Sequence, residues 1–420
     1  MPRRQPQMAA TRVYQVIREL IKDPQSLINY VENYLLKILD TPYVTRELSN
    51  GATKLIIGGD GAELSINHGI RIRGRGRSRS LLNAVVLRYL GTGGLRRITV
   101  LLIRRGNRAY RVDDLPRIRS LPLGLISLVI VSVIAISIIT AILRVVDIVS
   151  SIHIIMALLL TPMIIPIVYS YILQVKIRHY DLRGAQIIKF TLEYEEFDNA
   201  RFNNALRLLE KVGKSRSLDV IRRAILSIVN NPDTAPRNYY EEVIDVDKLR
   251  GRLGIKDYGI YIINMDQCNA ASIGLPGINY VILTSKLVSC LNEDELAAVI
   301  MHEVGHVVHG DSAKTLFLMS LAQLINVVLI TRVIPVMSLP ALPILIGAIF
   351  AEILVITLIM RLSEYAADKY AMRFVRNRDL ALALLKVAWR ELHNELTSKK
   401  PRVFNVHPAV SSRLVRILSR

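Results

Sequence analysis

Two stretches of this sequence run without a charged side chain for longer than a lipid bilayer is thick. Leu121 to Leu143 spans 23 residues and Ile154 to Val175 spans 22. At about 1.5 Å per residue, each can cross a hydrocarbon core of about 30 Å as a helix. A helix satisfies its own backbone hydrogen bonds, so it is the form such a run adopts in lipid. The link between them, Arg144 to His153, is short, which predicts a helical hairpin, and Pro162 and Pro166 predict a kink in its second arm. Two more runs follow later. Thr315–Thr331 has 17 uncharged residues, and Val333–Met360 has 28 with Glu352 as its only charge. A carboxylate there is costly unless it faces a bundle interior, so Glu352 is expected to bond to Gln323 or Asn326. Four spans in two hairpins are expected of this 420-residue chain, 51% of which is hydrophobic.

Charge orients the spans. Arg111, Arg117 and Arg119 precede the first span, and Lys176, Arg178 and Arg183 follow the second, while the link carries only Arg144 and Asp147. Basic residues stay inside, which puts the N-terminal region, the middle region and the C-terminus on the cytoplasmic side of the cell membrane. The start, Met-Pro-Arg-Arg-Gln-Pro, leads into polar sequence and does not read as a cleavable signal.

The formal charge is +20, and residues 1–118 carry 21 Lys+Arg against 9 Asp+Glu. This leader reads as a small α+β domain. Val13, Ile17, Ile21, Ile28 and Val31 recur at helical spacing, and LIIGG, ELSIN, IRIRGRGR and ITVLLIRR read as short strands. Arg71, Arg73, Arg75, Arg77 and Arg79 alternate, so on one strand they would share a face. Such a face stays solvated or meets anionic lipid, and nucleic acid is disfavoured because no series of aromatic residues accompanies the arginines. Gly91-Thr92-Gly93-Gly94 lacks a following Lys-Ser/Thr and reads as a turn. The two cysteines, Cys268 and Cys290, cannot build a disulfide framework or a four-thiolate site, and they fit a reducing compartment. Cys268 reads as a small buried residue.

The chemistry gathers at His302-Glu303-Val304-Gly305-His306. Asn292 caps a helix and Glu295, three residues on, completes a capping box. A helix from Glu293 onward puts His302 and His306 four residues apart on one face, where both can bind one Zn²⁺. Glu303 lies beside them, placed to take a proton from an attacking water. The competing reading is a polar turn of a buried helix, which would leave two imidazoles and a carboxylate needing other partners. A catalytic zinc needs a third protein ligand. His309, Asp311, Glu364 and His407 are the candidates. The longer HExxHxxGxxH pattern fails, because Gly310 is one place late and position 312 is Ser. Glu364 from a second helix would give two histidines and a carboxylate, with Asp368 one turn on to orient an imidazole; by spacing alone Glu364 could equally be an ordinary exposed acid.

The run Asn269-Ala270, then Leu291 to Val299, His302 to His306 and Gly310-Asp311, is similar to the zinc peptidases of the HtpX heat-shock membrane proteases, a family that also holds the CaaX prenyl endopeptidases. Its Glu followed four residues later by Asp matches Glu364 and Asp368. Its C-terminal His-Pro followed by Arg matches His407-Pro408 and Arg413. The resemblance covers roughly residues 120–420, and the leader has no counterpart in it. It implies one Zn²⁺ on His302, His306 and Glu364, with Glu303 as general base and Asp368 and Arg413 behind the ligands. It also implies His407 as a partner of the transition-state oxyanion. A strand near Asn269 and Ala270 could then pair with an extended substrate.

The expected fold is mostly α, with four membrane helices, a gluzincin-type α+β catalytic domain and the extra basic domain. The divisions are 1–118 for the leader, 119–176 for the first hairpin, and 177–313 for the catalytic domain with HEVGH. The second hairpin is 314–360, and 361–420 completes the catalytic domain. The expected partners are membrane lipid and unfolded or membrane-protein substrates, and oligomeric state is left open. The function is hydrolysis of peptide bonds in membrane or misfolded proteins. The alternatives are a CaaX-type prenyl protease, whose enclosed chamber uses more spans, and a proteolytically inactive receptor or scaffold, against which the intact Glu303 argues.

Overall fold

A computed structural model of the chain describes residues 24–37, 44–49, 52–57, 62–66, 70–73, 76–106, 108–117, 180–211, 217–275, 278–329, 341–397 and 407–419. The first expected membrane hairpin, 121–175, lies outside the described residues.

The leader opens with α1 (Pro24–Lys37). A meander follows: β1 (Val44–Ser49), β2 (Ala52–Ile57), β3 (Ala62–Ile66) and β4 (Ile70–Arg73) pair in that order, each antiparallel to the next. Leu55, Ile57, Leu64 and Ile66 are buried, as the period of two requires of one sheet face. The arginine alternation therefore holds only at Arg71 and Arg73, both exposed, because a helix, α2 (Gly76–Thr92), starts there. Leu82, Val85 and Val86 recur at helical spacing and are buried, and this periodicity overrides the strand preference of two adjacent valines.

β5 (Leu95–Arg105) and β6 (Arg108–Arg111) form a hairpin. The chain then supplies β7 (Tyr180–Asp181), β8 (Gln186–Glu195), α3 (Asn199–Lys211), α4 (Leu218–Val229) and β9 (Asn238–Asp245). A second sheet has the order β6-β5-β8-β9, and β5 pairs with β8 from Leu95↔Glu195 to Arg104↔Gln186. The sheet thus crosses the division expected at residue 118: the end of the leader and the region after residue 177 share one ladder. Ile188, Phe190, Leu192 and Tyr194 of β8 pack with Ile221, Ile225 and Ile228 of α4. Each such side chain contributes roughly 1.5–3 kcal/mol by burial, which is why this face can be covered by two short helices.

Next come α5 (Val246–Leu253), β10 (Gly259–Ile263), β11 (Ala270–Leu275), β12 (Ile278–Thr284) and α6 (Ser285–Cys290). The third sheet has the order β11-β12-β10-β7, with β10 parallel to β12 and β11 at its edge. Five helices complete the described residues: α7 (Glu293–Val308), α8 (Asp311–Val328), α9 (Ala341–Ala371), α10 (Asn377–Thr397) and α11 (Val410–Leu418). α10 has a non-helical break at Ala388, with φ −112° and ψ 20°.

The expected second hairpin needs correction. Its first arm is part of α8, which starts at Asp311 and so contains the division drawn at 314. Its second arm belongs to α9, which runs unbroken past Met360 to Ala371. Among the described residues one helical segment, Ile346–Ala371, is long and apolar enough to cross a membrane. Its outward side chains include Ile346, Val355 and Leu358, each half exposed or more. Asn326 on α8, one of the two partners expected for that carboxylate, donates to Glu352 on α9 at 3.0 Å.

Candidate active site

The helix that carries HEVGH starts as its residues dictate. The Asn292 side chain accepts from the Glu295 backbone N–H at 2.9 Å, and Glu295 accepts from the Asn292 N–H at 3.0 Å. Lys386 on α10 holds the other side of that carboxylate at 2.7 Å, which fixes the start of α7.

Gly305, at the centre of the motif, sets how close α9 can come. A Cβ at Gly305 would lie 2.9 Å from the Cα of Ala367, a separation side chains do not tolerate. The two helices therefore touch at backbone contact, and Glu364 and Asp368 reach the histidines. β11 approaches from the other side in the same manner, since a Cβ at Gly274 would lie 2.7 Å from Val307.

His302 Nε2 and His306 Nε2 lie 3.3 Å apart. Glu364 Oε2 is 3.5 Å from His302 Nε2, and Glu364 Oε1 is 3.9 Å from His306 Nε2. Ligands about 2.0–2.1 Å from a tetrahedral ion stand about 3.3–3.4 Å from one another, so these three atoms nearly trace one face of such a site. Two imidazole nitrogens turned toward each other at this distance also lack a natural hydrogen-bond complement unless one is protonated. The donor set fits a metal ion.

Each imidazole has a carboxylate behind it. His302 Nδ1 is 3.0 Å from Asp368 Oδ1, and His306 Nδ1 is 2.8 Å from Asp311 Oδ2. Arg413 grips Asp368 with two hydrogen bonds, Nε to Oδ2 at 2.8 Å and Nη2 to Oδ1 at 2.7 Å, and its Nη1 is 2.8 Å from Glu364 Oε2. His407 Nδ1 lies 2.8 Å from Glu364 Oε1. Of the four residues weighed as a third ligand, Glu364 is the one whose carboxylate joins the histidine pair. His309 bonds instead to the Gly305 carbonyl at 2.6 Å and packs edge-on against Tyr370.

Asp311 was weighed only as a ligand, and its place behind His306 escaped the spacing argument. The turn responsible is Gly310, whose φ of +65° suits glycine and reverses the chain so that Asp311 faces back over α7. Ser363 Oγ donates to the second Asp311 oxygen at 3.1 Å.

The ionisations follow from these contacts. Burial favours the neutral form of His302, but Asp368 and Glu364 outweigh it and raise its pKa to about 10 when no metal competes for the ring. The hydrogen bond to Glu364 raises the pKa of His407 against the effect of burial. Burial would raise that of Asp311, yet its hydrogen bond and charge pairing with His306 carry it below the usual carboxylate range. Burial likewise opposes the charge of Arg413, and the Asp368 and Glu364 carboxylates overcome it and raise its pKa.

A cavity of about 600 Å³ opens over this cluster. Glu303 lines it beside His302 and His306. Asn269 and Ala270 line one side, and Leu384 and Val387 of α10 line another. The β11 edge therefore runs along the mouth of the cluster.

Residues 238–420, which hold every member of the cluster, match the Peptidase family M48. Two curated relatives extend the match. The protease HtpX homolog of Acidiphilium cryptum is 26% identical over 226 residues, covering 46% of this chain and 79% of that protein. That of Salinibacter ruber is 29% identical over 198 residues, covering 41% and 71%. The crystal structure of S. mikatae Ste24p aligns with 69% of this chain and 64% of that one, at 16% identity and a TM-score of 0.34. These matches support a metalloprotease. More closely, residues 238–420 are similar to the Peptidase family M48, and the wider chain is similar to the HtpX homologs. β5, β8 and the leader lie outside the matched segment.

Proposed function

We propose that the chain is a zinc endopeptidase of the cell membrane that hydrolyses membrane or misfolded proteins on the cytoplasmic side. The observation that carries this reading is the convergence of His302, His306 and Glu364 beneath a cavity that Glu303 also lines. The catalytic unit in this reading is built from 177–313 and 361–420, with β5 of the leader completing its second sheet.

His302, His306 and Glu364 would hold the ion. When bound, zinc acts as a Lewis acid that polarises the scissile carbonyl and brings the pKa of a bound water to about 7. Glu303 accepts the proton of the attacking water and delivers it to the departing amine. Asp368 and Asp311 fix the orientation of the two imidazoles, and Arg413 holds Asp368 and Glu364 in register. His407, when protonated, presents a positive N–H toward the oxygen that gains charge. An extended segment pairs with the β11 edge from Ala270 onward, which sets its carbonyl over the cluster by backbone contacts that do not depend on side-chain sequence. Anionic lipid meets the exposed arginines of the leader.

The test uses full-length protein in detergent, with casein or an unfolded membrane protein as substrate and metal content measured on the same sample. Wild type and Glu303→Gln should each hold one zinc, and the variant should lose on the order of 10²–10⁴-fold in kcat/KM. Equal cleavage by the two, or protein that binds no zinc, would overturn the assignment. Zinc binding without cleavage by either would favour the receptor reading.

A further inference from the structure

Cys268 and Cys290, the chain's two cysteines, are brought together by the fold: their Sγ atoms lie 3.4 Å apart. Cys268 sits in the turn before β11, and Cys290 is the last residue of α6. One threonine pins both segments. Thr284 Oγ1 donates to the Gln267 carbonyl at 2.6 Å, accepts from the Asn269 N–H at 3.1 Å, and caps α6 by accepting from the Leu287 N–H at 3.2 Å. The sulfurs are held as neighbours by backbone on either side. Both residues are half-buried, and Cys268 lines the cavity over the catalytic cluster.

We propose that Cys268 and Cys290 form a reversible intramolecular disulfide that ties the substrate-binding edge to the start of the catalytic helix. A disulfide needs its sulfurs at about 2.05 Å, so closure takes a movement of roughly 1.4 Å, within the reach of side-chain rotation. The contact with Cys268 lowers the pKa of Cys290 against the effect of burial, with help from Lys286, which favours a thiolate on that sulfur. The oxidant is a hydroperoxide, small enough to reach a half-buried sulfur. The Cys290 thiolate attacks one peroxide oxygen, the O–O bond breaks, and hydroxide leaves and is protonated to water. The Cys268 sulfur then attacks the Cys290 sulfenic sulfur. The S–O bond breaks, and the departing hydroxide takes the Cys268 proton as a second water. In sum, two thiols and one hydrogen peroxide give one disulfide and two waters, and a dithiol reverses it.

The bond would join the residue preceding Asn269 to the residue two before Asn292, the cap of α7. It touches no proposed metal ligand, so oxidation should act on how the edge receives substrate and leave the metal in place.

The experiment treats full-length protein in detergent with hydrogen peroxide and follows thiol content, intact mass and thermal unfolding. The expected result is loss of both titratable thiols, a mass lower by two hydrogens on a monomer, and a raised Tm, all reversed by dithiothreitol. In Cys268→Ser, peroxide should leave Cys290 as a sulfenic acid that dimedone labels. Cys268→Ala repeats this arm in case the serine disturbs the turn. Two free thiols after treatment, a gain of oxygen mass on wild type, or a disulfide between two chains would each overturn the proposal. These readouts do not depend on proteolysis. Only the last arm rests on the protease reading: oxidation should change KM for an extended peptide by about twofold or more with zinc content unchanged, and an unchanged KM would limit the bond to a structural tie and overturn its role at the edge.

Discussion

The crossing of α7 with α9 and the crossing of α2 with α10 are built alike, yet they do different work. In the first, Gly305 lets α7 rest on the backbone of Ala367, and the result is a metal-binding geometry. In the second, a Cβ at Gly91 would lie 3.0 Å from the ring of Trp389, so the leader helix is seated against the chain's single tryptophan. Trp389 follows the break at Ala388, and Ala388 lines the cavity. One crossing positions ligands by backbone contact. The other braces the cavity wall from outside, through a leader helix that lies beyond the M48 match. Close approach through glycine thus serves chemistry in one region and scaffolding in the other.

The difference predicts a graded set of outcomes. Gly305→Val should be the most damaging, since the side chain meets backbone that cannot rotate away. Overpacking of this kind costs about 1–3 kcal/mol, and the displacement of Glu364 should abolish stoichiometric zinc in a protein that still folds by circular dichroism. Full zinc occupancy in that variant would break the account of the first crossing. Asp311→Ala should come next. Losing the partner of one imidazole typically weakens metal affinity by about 10–100-fold, which competition with a chelator would measure, and an unchanged affinity would remove Asp311 from the site.

Proton release gives the third measure. The Asp368 and Glu364 carboxylates push the pKa of His302 up to about 10 in the metal-free protein, against the effect of burial, so zinc binding at neutral pH should displace a proton from it. Calorimetry in buffers of different ionisation enthalpy should detect that release, and zinc affinity should fall as pH falls. The sign for folding is separate: a pKa raised above the ordinary 6.5 stabilises the metal-free protein fully below pH 6.5 and loses that contribution as pH climbs toward about 10. The metal-free Tm should therefore drop across that window if other groups are constant. Gly91→Val is expected to have the smallest effect on chemistry. It should lower Tm and shift Trp389 fluorescence while zinc content stays at wild type. If zinc is lost as readily as in Gly305→Val, the two crossings are not separable.

The sequence was informative where chemistry and local periodicity coincide. HEVGH lies on one helix behind its own capping box, and both signals are contained within about fifteen residues. Glu364 and Asp368 were reachable because four residues on a helix place them on one face. What escaped was built from distant partners. β8 is paired with β5 across about ninety residues, and nothing local in Leu95–Arg105 names its neighbour. The same distance hid the thiol pair, since two cysteines 22 residues apart show no relation until Thr284 gathers their segments. α2 went unread because two adjacent valines speak for a strand and mask the helical spacing of Leu82, Val85 and Val86, a face whose cover on α10 lies some three hundred residues on.

The continuity of α9 has one further consequence. The helix that runs apolar from Ile346 to Met360 reaches Glu364 within about one turn, without a joint between. In the proposed membrane setting, a rigid rod embedded at one end would act as a depth gauge, fixing the height of the cluster above the apolar zone. For a protein anchored in the same bilayer, the bonds within reach would be those at that height, a few residues beyond where its own chain emerges. Selection by altitude would then precede any selection by side chain.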